Sequence, residues 1–142
     1  LTAMELSCWS FIRMAKLAEP LMKDGGSLFT MTYYGSQMVV ENYNIMGPVK
    51  AALESATRYM AAELGPKGIR VNAISPGPLK TRAASGISEF DLLLKKAQEK
   101  APSRSLVSID DVGTAVAFLA LDKAKLITGD TIYIDGGYHI MD

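Results

Sequence analysis

Tyr33-Tyr34-Gly35-Ser36-Gln37-Met38-Val39-Val40-Glu41-Asn42-Tyr43-Asn44-Ile45-Met46-Gly47-Pro48-Val49-Lys50 leaves a strand, crosses a polar loop and enters a helix. From Met46 onward, Met46, Val49, Leu53, Ala56, Met60 and Leu64 recur every three or four positions, as one buried helix face requires. The helix is expected from about Tyr43 to Leu64. Gly47-Pro48 fall in its first turn, where a missing N–H costs little, and Gly65-Pro66 ends it. On either side, Ser27 to Tyr33 and Ile69 to Ser75 are rich in β-formers and apolar groups, the pattern of strands buried on both faces. Two such strands joined by a long helix make a right-handed crossover, so the fold class is α/β, half of a doubly wound parallel sheet.

The rest of the chain fits this frame. Residues 3–22 form a helix with apolar side chains on almost every face, broken only by Glu5, Arg13, Lys16 and Glu19. One side is expected on the sheet and the other against a partner subunit. Trp9 and Phe11 read as packing residues, and either would meet the partner if it faces outward. Pro76-Gly77-Pro78-Leu79-Lys80-Thr81 follows the second strand at its carboxyl end, where such sheets bind ligands. In one reading Gly77 admits a close ligand and Thr81 offers a hydroxyl and an N–H to a phosphate. In the other this is a plain Pro/Gly turn. Residues 83–100 hold a helix bearing Phe90, Leu92, Leu93 and Leu94 and ending in Lys95-Lys96, either an apolar flap or a packed surface helix. Ser108-Ile109-Asp110-Asp111 is a capping box opening a helix to about Leu121, its Asp pair a cap and not a metal site. Thr131 to Asp135 is the third strand, and Gly136-Gly137 turns the chain outward.

Composition narrows the function. With 49% apolar and 21% charged residues the chain has an ordinary globular make-up. Fifteen basic residues balance fifteen acidic ones, which favours no nucleic acid or other polyanion as partner. A single cysteine, Cys8, makes no internal disulfide and reads as a small buried group in a reducing compartment. No run approaches the apolar length of a membrane span and no signal peptide is read, so a cytoplasmic location is expected. The chain starts Leu1-Thr2-Ala3, already helical in pattern, and reads as the continuation of a longer polypeptide.

The chemistry lies at Tyr43 and Lys50. Seven steps of helix are almost two turns, which would place both side chains on one face about 10 Å apart along the axis. A phenol can donate to an oxygen on which negative charge develops, and a nearby ammonium makes it more acidic while holding ribose hydroxyls. Reduction of a carbonyl or conjugated carbonyl compound suits that pair.

The run Tyr43 to Glu54, followed by Gly68-Ile69-Arg70-Val71-Asn72-Ala73-Ile74-Ser75-Pro76-Gly77-Pro78, resembles the short-chain dehydrogenase/reductase superfamily. Six residues between the tyrosine and the lysine, with Tyr33 ten residues upstream, are similar to the NADH-dependent enoyl-acyl-carrier-protein reductases of bacterial fatty-acid synthesis. The resemblance runs to Asp135-Gly136-Gly137. It implies that residues 1–142 are the C-terminal half of one Rossmann-like reductase domain with three strands and flanking helices, the N-terminal dinucleotide-binding half being absent. It also implies Tyr43 as catalytic tyrosine, Tyr33 as a second tyrosine near the substrate, and Lys50, Leu79 and Thr81 as NADH/NAD contacts. Met46, Ala83, Ile87 and Phe90 would line an acyl channel. The partners implied are an acyl carrier protein bearing an enoyl chain and three further copies, forming a homotetramer through helices 3–22 and 44–64. Ser88-Glu89-Phe90-Asp91 stands where relatives often present basic residues to the carrier, which leaves Lys80, Arg82, Lys95 and Lys96 for that contact. Two rival readings are another short-chain reductase acting on a ketone or dienoyl thioester, and an inactive fragment retaining only oligomer contacts.

Overall fold

The structure is a computed structural model that describes residues 1–79 and 90–141, with Phe90 as backbone only. Three strands, β1 (Gly26–Met31), β2 (Ile69–Pro76) and β3 (Thr131–Ile134), form a parallel sheet in the order β1-β2-β3. Gly26 lies opposite Ile69 and Met31 opposite Ile74, while Ala73 lies opposite Thr131. The expected three-stranded α/β sheet is therefore present. Its first strand is shorter than the sequence implies: Thr32 N–H still donates to the Ile74 carbonyl at 2.8 Å, and the chain then leaves the sheet into a tight turn, Tyr34–Ser36.

Every residue of β2 is buried, including Arg70, Asn72 and Ser75. Burying a guanidinium is costly unless its N–H groups find acceptors. Arg70 donates to the Leu119 carbonyl at 2.7 Å and to that of Leu121 at 3.2 Å, at the end of a helix whose last carbonyls have no partner within the helix. Asn72 donates to the Ile127 carbonyl at 2.9 Å and accepts from Asp130 N–H at 3.1 Å. The two polar residues thus fasten β2 to the segment that leads into β3, a role that hydrophobic patterning does not reveal.

Helix α1 runs from Thr2 to Leu21 as an α-helical start (Thr2–Met4), a π turn (Glu5–Trp9), a regular stretch (Ser10–Ala18) and a 3-10 turn (Glu19–Leu21). Helix α2 spans Met46–Leu64. Between them and β2 lies the first core, built of Cys8, Phe11, Leu53, Ala61, Leu64, Ile69 and Val71. Leu53, Ile69 and Val71 are fully buried, each stabilising the fold by about 1.5–3 kcal/mol. Trp9 and Phe11 part company here: Phe11 is 6% exposed and Trp9 57%. Leu6, Met14 and Leu17 share the open side with Trp9, so α1 is apolar on more faces than this chain covers.

A second core of Ile74, Val112 and Leu119, with Phe29, Val107 and Ile132 around it, joins the sheet to helix α4 (Ile109–Ala120). Ser108 caps that helix as expected, accepting from Asp111 N–H at 3.1 Å while Asp111 Oδ2 accepts from Ser108 N–H at 2.8 Å. Helix α3 covers Phe90–Lys100, past the expected end at Lys95-Lys96, and buries Leu94 and Ala97, as a packed surface helix does. No helix among the described residues is long and apolar enough to cross a membrane.

Candidate active site

The start of α2 departs from expectation, and the departure shapes the site. The helix begins at Met46, not near Tyr43, because Asn42 and Asn44 take left-handed backbone conformations with φ of 61° and 49°. Asparagine tolerates that region better than most residues, and a helix cannot run through it. Tyr43 therefore sits between two left-handed residues in a tight turn, its N–H donating to the Val40 carbonyl at 3.1 Å and its carbonyl accepting from Met46 N–H at 3.1 Å. It does not share a helix face with Lys50.

Tyr33, extended at the exit of β1, meets Tyr43 edge-on, with ring centroids 5.2 Å apart and planes at 70°. Gly35 makes the approach possible, since a Cβ there would lie 2.7 Å from a Tyr43 ring carbon. Gly47 in the first turn of α2 is needed in the same way, because its Cβ would stand 2.9 Å from the Gly35 carbonyl oxygen. Behind the turn, Glu54 Oε1 accepts from Thr32 Oγ1 at 2.7 Å and from Ser36 Oγ at 2.6 Å.

Lys50 reaches back from α2 to the end of β1, where its ammonium donates to the Met31 carbonyl at 2.9 Å. Burial pushes its pKa down, opposed by the thiol of Cys8 and the carboxylate of Glu54. Burial likewise pushes the Cys8 thiol up, opposed by Lys50. The Tyr43 phenol is raised by burial alone, so the acidification expected from a neighbouring ammonium does not govern it. Tyr33 is raised further, first by burial and then by the phenols of Tyr138, Tyr34 and Tyr43 and the carboxylate of Asp135. Both phenols remain protonated donors at neutral pH.

The remaining expected residues are less concentrated. Met46 is the half-buried first residue of α2, and Leu79 packs against the second core. Thr81, Ala83 and Ile87 lie outside the described residues, as do Lys80, Arg82 and the side chain of Phe90. Lys95 and Lys96 are exposed on α3. Gly77 packs against Asp135 at the β3 exit, where a Cβ would lie 3.1 Å from the Asp135 Cβ and 3.3 Å from its Cα. A cleft of about 540 Å³ opens beside Tyr43, lined by Gly35 to Asn44 together with Gly47, Pro48 and Ala51.

Sequence reasoning missed Glu54, the close approach of Gly35 and Gly47, and the contacts of the C-terminal turn. That turn carries Tyr138 to Tyr34, ring centroids 5.3 Å apart, with the Lys100 ammonium 5.0 Å from the Tyr138 ring. Asp135 fixes it by accepting from the N–H groups of Gly137 and His139 at 2.9 and 3.0 Å. Its carboxylate also meets His139 Nδ1 at 2.8 Å, and the imidazole stacks on Tyr133 at 3.7 Å. Gly136-Gly137 was legible as a turn, but which residues it brings home was not.

A family model described as enoyl-(acyl carrier protein) reductase matches residues 1–139. An enoyl-[acyl-carrier-protein] reductase [NADH] of Rhizobium meliloti is 48% identical over 96% of this chain and 50% of its own length. The corresponding FabI protein of Bacillus subtilis is 44% identical over 99% of this chain and 54% of its own. Among solved structures, the Bacillus cereus enoyl-acyl carrier protein reductase with NADP+ and indole naphthyridinone superposes with a TM-score of 0.94 at 43% identity, over 96% of this chain and 53% of that one. The Aquifex aeolicus enoyl-[acyl-carrier-protein] reductase (NADH) gives 0.92 at 44% identity, over 97% and 54%. The chain spans about half the length of the curated relatives it matches.

Proposed function

This chain belongs to the enoyl-(acyl carrier protein) reductase family, and from that premise we propose that it forms the C-terminal half of a Rossmann-like enzyme reducing the trans-2 double bond of enoyl-acyl-carrier-protein thioesters with NADH. The observation that carries the reading is the pair of protonated phenols, Tyr33 just past the end of β1 and Tyr43 in edge contact with it, Tyr43 also lining an open cleft between the loop after β1 and the start of α2. NADH, when bound, would supply the hydride that adds to the β-carbon. The electrons displaced from the double bond would collect on the thioester oxygen, and a proton drawn from water to the α-carbon would complete the reduction. Tyr43 donates to that oxygen as charge develops, directly or with its neighbour Tyr33.

The residues present suit the cofactor. An ammonium carries three N–H donors, and Lys50 spends one on Met31, which leaves two for ribose hydroxyls. Leu79 and Thr81 complete the proposed contacts, with the nicotinamide carboxamide and the diphosphate. The acyl chain would pass Met46, Ala83, Ile87 and Phe90. The open apolar side of α1, with Trp9 and Leu17, supports the proposed homotetramer through helices 3–22 and 44–64. A cytoplasmic location and an acyl carrier protein as partner belong to the same reading.

The test is NADH oxidation by the full-length enzyme with a crotonyl thioester against an acetoacetyl thioester. Turnover of the first alone is expected. Turnover of the second alone would favour a ketone reductase.

A further inference from the structure

Glu54 is 4% exposed, a carboxylate inside the fold. Its Oε1 atom accepts from two hydroxyls, Thr32 Oγ1 at 2.7 Å and Ser36 Oγ at 2.6 Å. Thr32 and Ser36 bracket the turn that carries Tyr33, one residue before it and three after. Glu54 itself stands one helical turn beyond Lys50 on α2, and its charge acts on that ammonium. A single carboxylate oxygen therefore ties both ends of the Tyr33 turn to the helix that bears Lys50. Charge-assisted hydrogen bonds of this kind are shorter and stronger than neutral ones, as the two distances are.

We propose that Glu54 is a positioning residue of the reductase, holding the Tyr33 turn against α2 so that Tyr33 stays edge-on to Tyr43. It touches no reacting atom. The inference rests on the function proposed above, since only there does the placement of Tyr33 have a catalytic consequence. Ordinary hydrophobic packing would fill this position with an apolar side chain. Buried charges add little to stability and replacing them by apolar groups is often neutral, so the two Glu54 hydrogen bonds are assigned to positioning and not to stability.

Two substitutions in the full-length enzyme separate the roles. Glu54→Gln retains an oxygen acceptor for both hydroxyls, and Glu54→Leu removes it. Glu54→Leu is expected to lower kcat for the crotonyl thioester by roughly tenfold to a hundredfold, the scale of a small misplacement, with KM for NADH within about twofold of wild type. Glu54→Gln should recover most of that loss. Hydrogen exchange gives a readout independent of activity: the Ser36 and Gln37 amides, which donate to the carbonyls of Tyr33 and Tyr34, should exchange about tenfold faster in Glu54→Leu while β2 stays protected. If Glu54→Leu does not fold, the Thr32→Val, Ser36→Ala double variant removes the same two bonds and should show the same pattern. Unchanged kcat and unchanged exchange in either variant would overturn the proposal, as would a loss of protection spread evenly over the sheet. A wild-type enzyme inactive on the crotonyl thioester would instead sink the assigned reaction, leaving the exchange pattern to decide whether Glu54 holds the turn.

Discussion

Tyr33 and Tyr43 meet edge-on, ring centroids 5.2 Å apart at 70°, although one stands just past the end of β1 and the other lies in a turn ten residues on. Either phenol could face the substrate oxygen, and the two make different predictions. Tyr43→Phe should lower turnover while leaving NADH binding nearly intact, since it deletes a donor to a developing charge and no cofactor contact. The barrier should rise by about 2–4 kcal/mol, the cost of losing one oxyanion donor. Steady-state kinetics beside Tyr33→Phe decides: a silent Tyr43→Phe with a damaging Tyr33→Phe would transfer the role to Tyr33.

Lys50→Ala should act on the cofactor first. Its proposed partners, ribose hydroxyls, are present in ground and transition states alike, so the loss appears in binding more than in turnover. The variant also deprives the Met31 carbonyl of its charged donor, a bond worth about 1.5–3 kcal/mol. A fluorescence titration should therefore show a weakened NADH complex with only a modest fall in melting temperature. An unaltered dissociation constant would remove Lys50 from the cofactor site.

Periodicity was enough to find the three strands and the helices because apolar spacing records burial directly. It read the start of α2 wrongly, three residues early, because two asparagines break a helix through backbone conformation and leave the apolar pattern intact. The same limit hid Glu54 and Arg70. A buried charge is recognised by what it hydrogen-bonds, and its partners here lie 18 to 51 residues away. Tyr33, Tyr43 and Lys50 were singled out together through family resemblance, while the edge contact of the two tyrosines and the Lys50 bond to Met31 were not foreseen.

Alkaline pH offers a check on the tyrosine cluster. Tyr138 is pushed up to about 12, first by burial and then by Tyr34, through its charge and a hydrogen bond. A raised phenol in the folded state means that the native protein holds its proton more tightly than the unfolded chain. The stability linked to it is fully present below the ordinary value of about 10 and is lost as pH rises toward 12. Tyr33, Tyr43 and Tyr133 shift in the same direction, so denaturant midpoints should fall over that window. Spectrophotometric titration should show most phenols ionising late in the native protein, and Tyr138→Phe should flatten the fall in stability. Tyrosines that ionise together at the ordinary value would contradict the packing.

Trp9 and Phe11 should respond oppositely to a charge. Trp9→Glu places a carboxylate on the open side of α1, so the protein should remain folded and light scattering should detect smaller species. Phe11→Glu buries an unpaired carboxylate in the first core, where it should cost at least 3–5 kcal/mol and prevent folding instead of altering assembly. A tetramer indifferent to Trp9→Glu and to charges at Leu6 and Leu17 would place the subunit contact elsewhere.

The two glycines of the site set helix propensity against packing. Gly47 lies in the first turn of α2, where replacement by alanine ordinarily gains up to about 1 kcal/mol. Here the added Cβ would stand 2.9 Å from the Gly35 carbonyl oxygen, a backbone atom that cannot turn aside. Gly47→Ala should therefore destabilise the protein by about 1–3 kcal/mol, the range of an overpacked contact, and its melting temperature should fall. Gly35→Ala meets a side chain instead, the Tyr43 ring at 2.7 Å, which can rotate away. Its cost should appear less in melting temperature than in turnover, because the displaced ring carries the proposed donor. Stability lost at Gly47 and activity lost at Gly35 is the expected pattern. A stabilised Gly47→Ala would mean that the Gly35 turn is not packed on the start of α2.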